Sequence, residues 1–238
     1  MKKDIIKKLL PINIIVLFIA ILLTFCVDTA VIQANQITPV DTGITVIIDA
    51  GHGLPDGGTT SCTGVIEADI NLEISRRLND LFHFIGIKTI MTRENQESIY
   101  TEGNTIAQKK VSDTRNRVKK INSIRDGLLL SIHQNHFYDS QYAGAQVFHA
   151  NNEESKNFAR KLQSDLTANL NPSSNRKAKK SSGVYLMEHI KCTGVLIECG
   201  FLSNPHEEYL LRSDQYQKQL CAVIVTSTQS YINQHSAS

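Results

Sequence analysis

The 238-residue chain has no tryptophan, and aromatic residues make up only 6% of it. That scarcity argues against a groove lined with aromatic rings for binding sugars. The formal net charge is +2, which gives no support to nucleic-acid binding driven by charge. Five cysteines (Cys26, Cys62, Cys192, Cys199, Cys221) form no Cys-x-x-Cys pair and are odd in number. Small buried thiols are therefore expected rather than a disulfide framework, with a single pair such as Cys62–Cys192 left open. No His-Glu-x-x-His occurs, so the ligands of any metal site must come from separate elements. No internal repeat is found.

What is present is an ordinary globular composition, 41% hydrophobic and 20% charged. The length leaves room for one sizeable domain plus a targeting segment. Residues 1–33 stand apart. Lys2, Lys3, Lys7 and Lys8 form a basic head before an apolar run from Ile14 to Phe25, interrupted only by Thr24. Counted from Leu9 to Val27, the run is about long enough to span a bilayer. Its basic flank points inward. It reads as a signal-anchor or a removed signal peptide, and either places the body outside the cytoplasm. Residues 34–43, with Pro39 and Asp41, read as a linker.

Beyond the linker, strands and helices alternate. Apolar runs predict strands at 45–49, 88–92, 128–133, 145–149, 184–187 and 194–199. Apolar stripes predict helices at 69–85, 153–169, 205–211 and 215–233. Asp113 is expected to cap a short basic helix ending near 123. Residues 93–112 and 171–182 read as loops, the second with a basic cluster from Arg176 to Lys180. The alternation predicts an α/β fold, a single domain whose twisted, mainly parallel sheet is flanked by helices on both faces.

Three of the strands end alike. His52 follows Val46–Ile48, His133 follows Leu128–Ile132, and Glu198 follows Val195–Ile197. Glu67 stands just before the first long helix. In a parallel sheet, strand tips aim such side chains at one crevice. Two imidazoles and a carboxylate are a catalytic zinc set, and a second, unligated carboxylate supplies a general base. The count fits His52, Glu67 and His133 as ligands, with Glu198 left over. Taken singly, each has a plainer reading. His52 can sit in a surface turn, Glu67 can favour a helix N-terminus, His133 can be a core histidine, and Glu198 can pair with a cation. Asp49 is a candidate to hold a ligand imidazole by its other nitrogen. His136 is a candidate ligand or substrate-orienting group on the loop lip. His149 is a candidate donor to a leaving group or a support behind a ligand. His83, His206 and His235 read as solvated helix residues.

With these residues placed, the chain resembles the zinc-dependent N-acetylmuramoyl-L-alanine amidases of the amidase-3 family. The marks are Ile-Asp-Ala-Gly-His-Gly at 48–53, Gly-Val-Ile-Glu-Ala-Asp-Ile-Asn-Leu at 64–72 and Thr-Arg at 92–93. Arg117 with Asn122 comes next, then Leu-Ser-Ile-His-Gln-Asn-His at 130–136 and Gly-Ala-Gln-Val-Phe at 144–148. Val-Leu-Ile-Glu-Cys-Gly-Phe-Leu-Ser-Asn-Pro at 195–205 closes the series. The resemblance implies a catalytic domain over 44–236, Zn2+ on His52, Glu67 and His133, and Glu198 as the catalytic group. It departs at Ala68 and Gln134, where the family commonly has Lys and a small residue; neither removes a ligand.

The reaction so implied cuts the amide between the lactyl group of N-acetylmuramic acid and L-alanine in peptidoglycan. Arg93, Arg117 or the 176–180 cluster would then meet carboxylates of the peptide stem. His-Gln-Asn-His and a single N-terminal membrane segment resemble the spore-cortex branch. That branch implies muramic-δ-lactam formation, a germination role, a forespore-envelope location and a helper protein for positioning or metal loading. The sequence allows two rival readings. One is a cysteine peptidase using Cys199, which follows a strand rather than opening a helix. The other is a membrane-tethered, non-catalytic peptidoglycan-binding scaffold.

Overall fold

The computed structural model describes residues 43–235. The expected membrane segment, and the linker up to residue 42, lie outside the described residues. Val46, Ile47 and Ile48 are β-branched and wholly buried, the setting of a strand covered on both faces. They form β1 (Thr45–Ala50), flanked in parallel by β2 (Thr89–Met91) and β3 (Gly127–Asn135). β6 (Thr193–Phe201) extends the parallel sheet past β3. β4 (Gln146–His149) runs antiparallel to β6, and the short β5 (Lys179–Lys180) ends the order β2-β1-β3-β6-β4-β5.

Side chains alternate between two helical layers. Ile48, Leu130, Ile132 and Ile197 pack against α1 (Glu67–Phe84), α3 (Glu153–Leu170) and α6 (Asp214–His235). Ile47, Leu129 and Leu196 pack on the other face, where α2 (Ile106–Asn122) and α4 (Tyr185–His189) bring Ile121, Leu186 and Met187. In α1 the stripe Ile70, Ile74, Leu78 and Phe82 is buried throughout. Each such side chain contributes about 1.5–3 kcal/mol on leaving water. α5 (Pro205–Arg212) starts on Asn204, whose side chain accepts from His206 and Glu207, with Pro205 in the first turn.

The expected α/β architecture is present, with four local differences. α2 begins seven residues earlier than Asp113, at Ile106, because Thr105 and Gln108 form a capping box there. Asp113 is instead buried inside the helix and accepts from Ile99 N and Arg117 Nε. Residues 185–189 are helical rather than a strand; a four-residue apolar run fits either period, and only Leu186 and Met187 of it are buried. Part of the 171–182 loop pairs with β4 as β5. Cys62 and Cys192 are free thiols, so that pairing is not formed. Among the described residues no helix is long and apolar enough to cross a membrane.

Candidate metal centre

β1 stops at Ala50, and the chain turns through Gly51 and His52. His52 adopts φ 59°, a left-handed conformation uncommon for a residue with a side chain. Two buried arginines hold that turn. Arg117, from α2, donates to Asp49 Oδ1 (2.6 Å), Ala50 O (2.7 Å) and His52 O. Arg93 donates to Ala50 O (2.9 Å), Gly51 O (3.0 Å) and Ala68 O (2.8 Å), tying the turn to the start of α1. Over-determination of this kind is what lets a strained residue persist.

The strain presents an imidazole. His52 Nδ1 donates to Asp56 Oδ2 (2.9 Å), leaving Nε2 3.4 Å from Glu67 Oε2. His133 Nδ1 lies 3.1 Å from Glu67 Oε1, and the two imidazoles meet edge-on with centroids 5.0 Å apart. One ligand atom from each of His52, Glu67 and His133 falls within 4.8 Å of the others. Glu67 is fixed by donors on both oxygens, Thr59 N (3.0 Å) on one and Gln134 N (3.1 Å) with Asn71 Nδ2 (3.3 Å) on the other. Two glycines make the convergence possible. A Cβ on Gly51 would lie 2.4 Å from the His133 ring, and one on Gly58 2.5 Å from Glu67 Oε2.

Charge reinforces the geometry. Burial works against a charged His52, but the carboxylates of Asp56 and Glu67 outweigh it and hold its pKa up at about 9. Burial likewise opposes ionised Glu67, yet the two imidazoles keep it well below the usual carboxylate range. Glu198 is the exception. It pairs in register with His133 on the adjacent strand, so both side chains leave the same face of the sheet. Its Oε2 is buried with no hydrogen-bond partner. Burial, aided by the charge of Glu67 and opposed by both imidazoles, pushes its carboxyl up to about 7. A cleft of about 440 Å3 opens over this face between α2 and α4, with Asp49, His52 and His133 among its lining residues and Lys110 and Arg115 beside them.

The donor set fits a zinc-type cation: two half-buried imidazoles and one buried carboxylate gathered at one point, with a spare carboxylate beside it. The structure thus brings His52, Glu67, His133 and Glu198 together. Asp49 does not meet an imidazole; it accepts from Arg117, Thr92 and Ser131, which with Arg117 foremost hold it down at about 2 despite burial. Asp56 makes the imidazole contact instead. Its signal was Asp56-Gly57-Gly58 four residues past His52. Arg93 is committed to backbone carbonyls and buried, so it does not face substrate. His149 is ruled out by direction: β4 is antiparallel, and His149 pairs with Val195 while Gln146 pairs with Glu198. That displaces it by three residues, about 10 Å. His136 is exposed just beyond β3. Cys199 leaves the opposite face into the core, and burial drives its thiol far above the ordinary range, which removes the cysteine-peptidase reading.

An open α/β sheet with two imidazoles and two carboxylates gathered toward the C-terminal ends of its parallel strands has the donor set of a metal-dependent hydrolase. The chain belongs to the Amidase_3 family, N-acetylmuramoyl-L-alanine amidase, whose model matches residues 46–230. The germination-specific N-acetylmuramoyl-L-alanine amidase of Bacillus subtilis (strain 168) is 37% identical over 194 residues, covering 81% of each chain. The amidase LytC of the same strain is 29% identical over 201 residues, 83% of this chain but 37% of LytC. Among solved structures, the CwlD amidase from Clostridioides difficile, in complex with the GerS lipoprotein, superposes with a TM-score of 0.76 at 36% identity. The match covers 79% of this chain and 98% of that one. The protein is therefore a peptidoglycan amidase.

Proposed function

We propose that this amidase is a zinc enzyme of the spore cortex, with His52, Glu67 and His133 as ligands and Glu198 as the proton carrier. The observation that carries the reading is the in-register pair His133–Glu198 beside Glu67 and His52, with one oxygen of Glu198 buried and unpartnered. The bond broken joins the lactyl carbonyl of N-acetylmuramic acid to the amine of L-alanine. When bound, zinc supplies Lewis acidity toward water and the scissile carbonyl. Glu198 as carboxylate takes a proton from the attacking water and, as carboxylic acid, returns it to the departing amine. A pKa near 7 suits one group to both duties. Asp56 keeps the His52 ring turned so that Nε2 faces the centre. In the cleft, Arg115 takes the part of meeting stem carboxylates that Arg93 and Arg117 cannot.

Support for the cortex assignment comes from the germination-specific relative. Removing stems there prepares muramic acid for δ-lactam formation. The CwlD–GerS complex supports a lipoprotein partner, to which we assign the helper role of positioning the enzyme or loading its metal. Residues 1–33 would tether or export the domain to the cortex side of the forespore envelope, with 34–43 as linker. Mass spectrometry of muropeptides, after digestion with and without a chelator, tests the reaction and the metal together. The expected result is free stems beginning at L-alanine, lost with chelator and restored by zinc. Release that persists under chelation would overturn the zinc assignment, and stems left attached by zinc-loaded protein would favour the non-catalytic scaffold.

A further inference from the structure

Aromatic residues are scarce in this chain, yet four of them gather at one place. Phe137 packs on Tyr138 (centroids 4.6 Å apart) and Tyr142 (4.9 Å), and Tyr142 stacks on Phe201 (6.1 Å). Phe201 is buried, but Phe137, Tyr138 and Tyr142 are 41%, 90% and 42% exposed. Contiguous rings left in water mark a contact site more often than scattered ones do.

Hydrogen bonds fix the backbone beneath the cluster. Phe137 N donates to Ser203 Oγ (3.0 Å), Leu202 N to Asn135 O (2.8 Å) and Asn204 Nδ2 to Tyr142 O (3.2 Å). The Arg176 guanidinium lies over the Phe201 ring, 4.8 Å from its centroid.

Position decides what the rings meet. The sheet pairs His133 with Glu198 and then Asn135 with Phe201, so β6 carries one residue more than β3 in that interval. The bulge returns Phe201 to the face that Glu198 occupies. Asn135 is two residues, about 7 Å, beyond His133. The aromatic shelf thus begins about 7 Å further along the strands than the His133–Glu198 pair, on the same face of the sheet.

The amide to be cut has two arms, a sugar-bearing acyl group and a peptide. The cleft between α2 and α4 offers the exposed cation Arg115, the chemistry for a peptide carboxylate, while Lys110 is paired with Asp56 (3.1 Å). The shelf offers flat apolar rings with hydroxyls at their rims, which match a pyranose with apolar C–H faces and a polar edge. We propose that Phe137, Tyr138 and Tyr142 form a stacking subsite for the glycan strand that flanks the muramic residue being processed. The proposal rests on the bond assignment above and sets where the strand runs. It runs counter to the expectation, drawn from the lack of tryptophan and the low aromatic fraction, of no aromatic-lined groove for sugars.

The test uses the full chain and three probes. They are a stem-bearing tetrasaccharide of the peptidoglycan repeat, a stem-bearing single N-acetylmuramic acid, and the tetrasaccharide without peptide. Wild type should prefer the tetrasaccharide in kcat/KM. Tyr138→Ala and Tyr142→Ala should each lower that preference by about tenfold, through KM. Both variants should lose calorimetric binding of the peptide-free tetrasaccharide. Tyr209→Ala, an aromatic 71% exposed on α5, should alter neither reading. An unchanged preference in both shelf variants would overturn the proposal. So would failure of wild type to bind the peptide-free tetrasaccharide, or a wild-type dimer that Tyr138→Ala turns into a monomer, since the rings would then join two copies. Glycan binding that depends on Tyr138 without cleavage of any substrate would uphold the shelf and discard the bond assignment.

Discussion

At the scale of single residues, His52 concentrates the design. Its φ of 59° costs about 1–3 kcal/mol for a residue with a side chain, and six hydrogen bonds from Arg93 and Arg117 to the turn and its surroundings offset that cost. Asp56 then decides how the ring is used. Asp56→Asn keeps the volume but removes the charge, so zinc affinity should fall roughly 10–100-fold, read by competition with a chromophoric chelator. An unaltered affinity would show the contact to be incidental. The same contact fixes a pH dependence. The folded pKa of His52 is raised from 6.5 to about 9, so its stabilisation is complete below 6.5 and is lost as pH rises through 9. Metal-free protein should therefore lose at most about 3 kcal/mol between those limits, at roughly 1.36 kcal/mol per unit. Urea denaturation across that interval checks this; a flat profile contradicts it. Zinc requires the neutral ring, so affinity should rise over the same interval. Gly51→Ala forces a Cβ to 2.4 Å from the His133 ring. Overpacking of this kind should cost about 1–3 kcal/mol and weaken metal binding even where the variant folds, as thermal melts with and without zinc will show.

Among the elements, α2 was the hardest to read and matters most to the cleft. Only Ser112, Asp113, Arg117 and Ile121 of it are buried, so it lacks the apolar stripe that disclosed α1. The capping pair Thr105 and Gln108 was the available signal, and it lies in a polar stretch that reads as loop. Thr105→Ala should cost about 1 kcal/mol of stability with zinc stoichiometry unchanged, measured by denaturation and metal analysis. A loss of zinc would mean that the first turn of α2, and not Arg117 alone, sets the His52 turn. α4 was misread for a different reason, since four apolar residues cannot distinguish periods of 2 and 3.6. The buried strands were legible because β-branched runs covered on both faces leave few alternatives. Strand direction was not: nothing local in 145–149 records that β4 runs antiparallel, and that alone moved His149 away from the centre.

For the whole molecule, one principle accounts for what the sequence disclosed of the site. Parallel strands place their polar ends at one edge, so three apolar runs followed by His52, His133 and Glu198 point to a single crevice from the sequence alone. Glu67 joins them because the start of α1 is tied to the β1 turn through Arg93. Side-chain contacts across 20 or more residues, such as Asn71 on Gly51 O or Arg117 on Asp49, carry no local pattern and became visible only in the fold. The division of labour between three ligands and one proton carrier is the central claim. Zinc stoichiometry by plasma mass spectrometry, in wild type, His133→Ala and Glu198→Gln, tests it most directly when read beside amidase activity. The account predicts about one zinc in wild type and in an inactive Glu198→Gln, with zinc lost from His133→Ala. An active Glu198→Gln, or one that has lost its zinc, would contradict it.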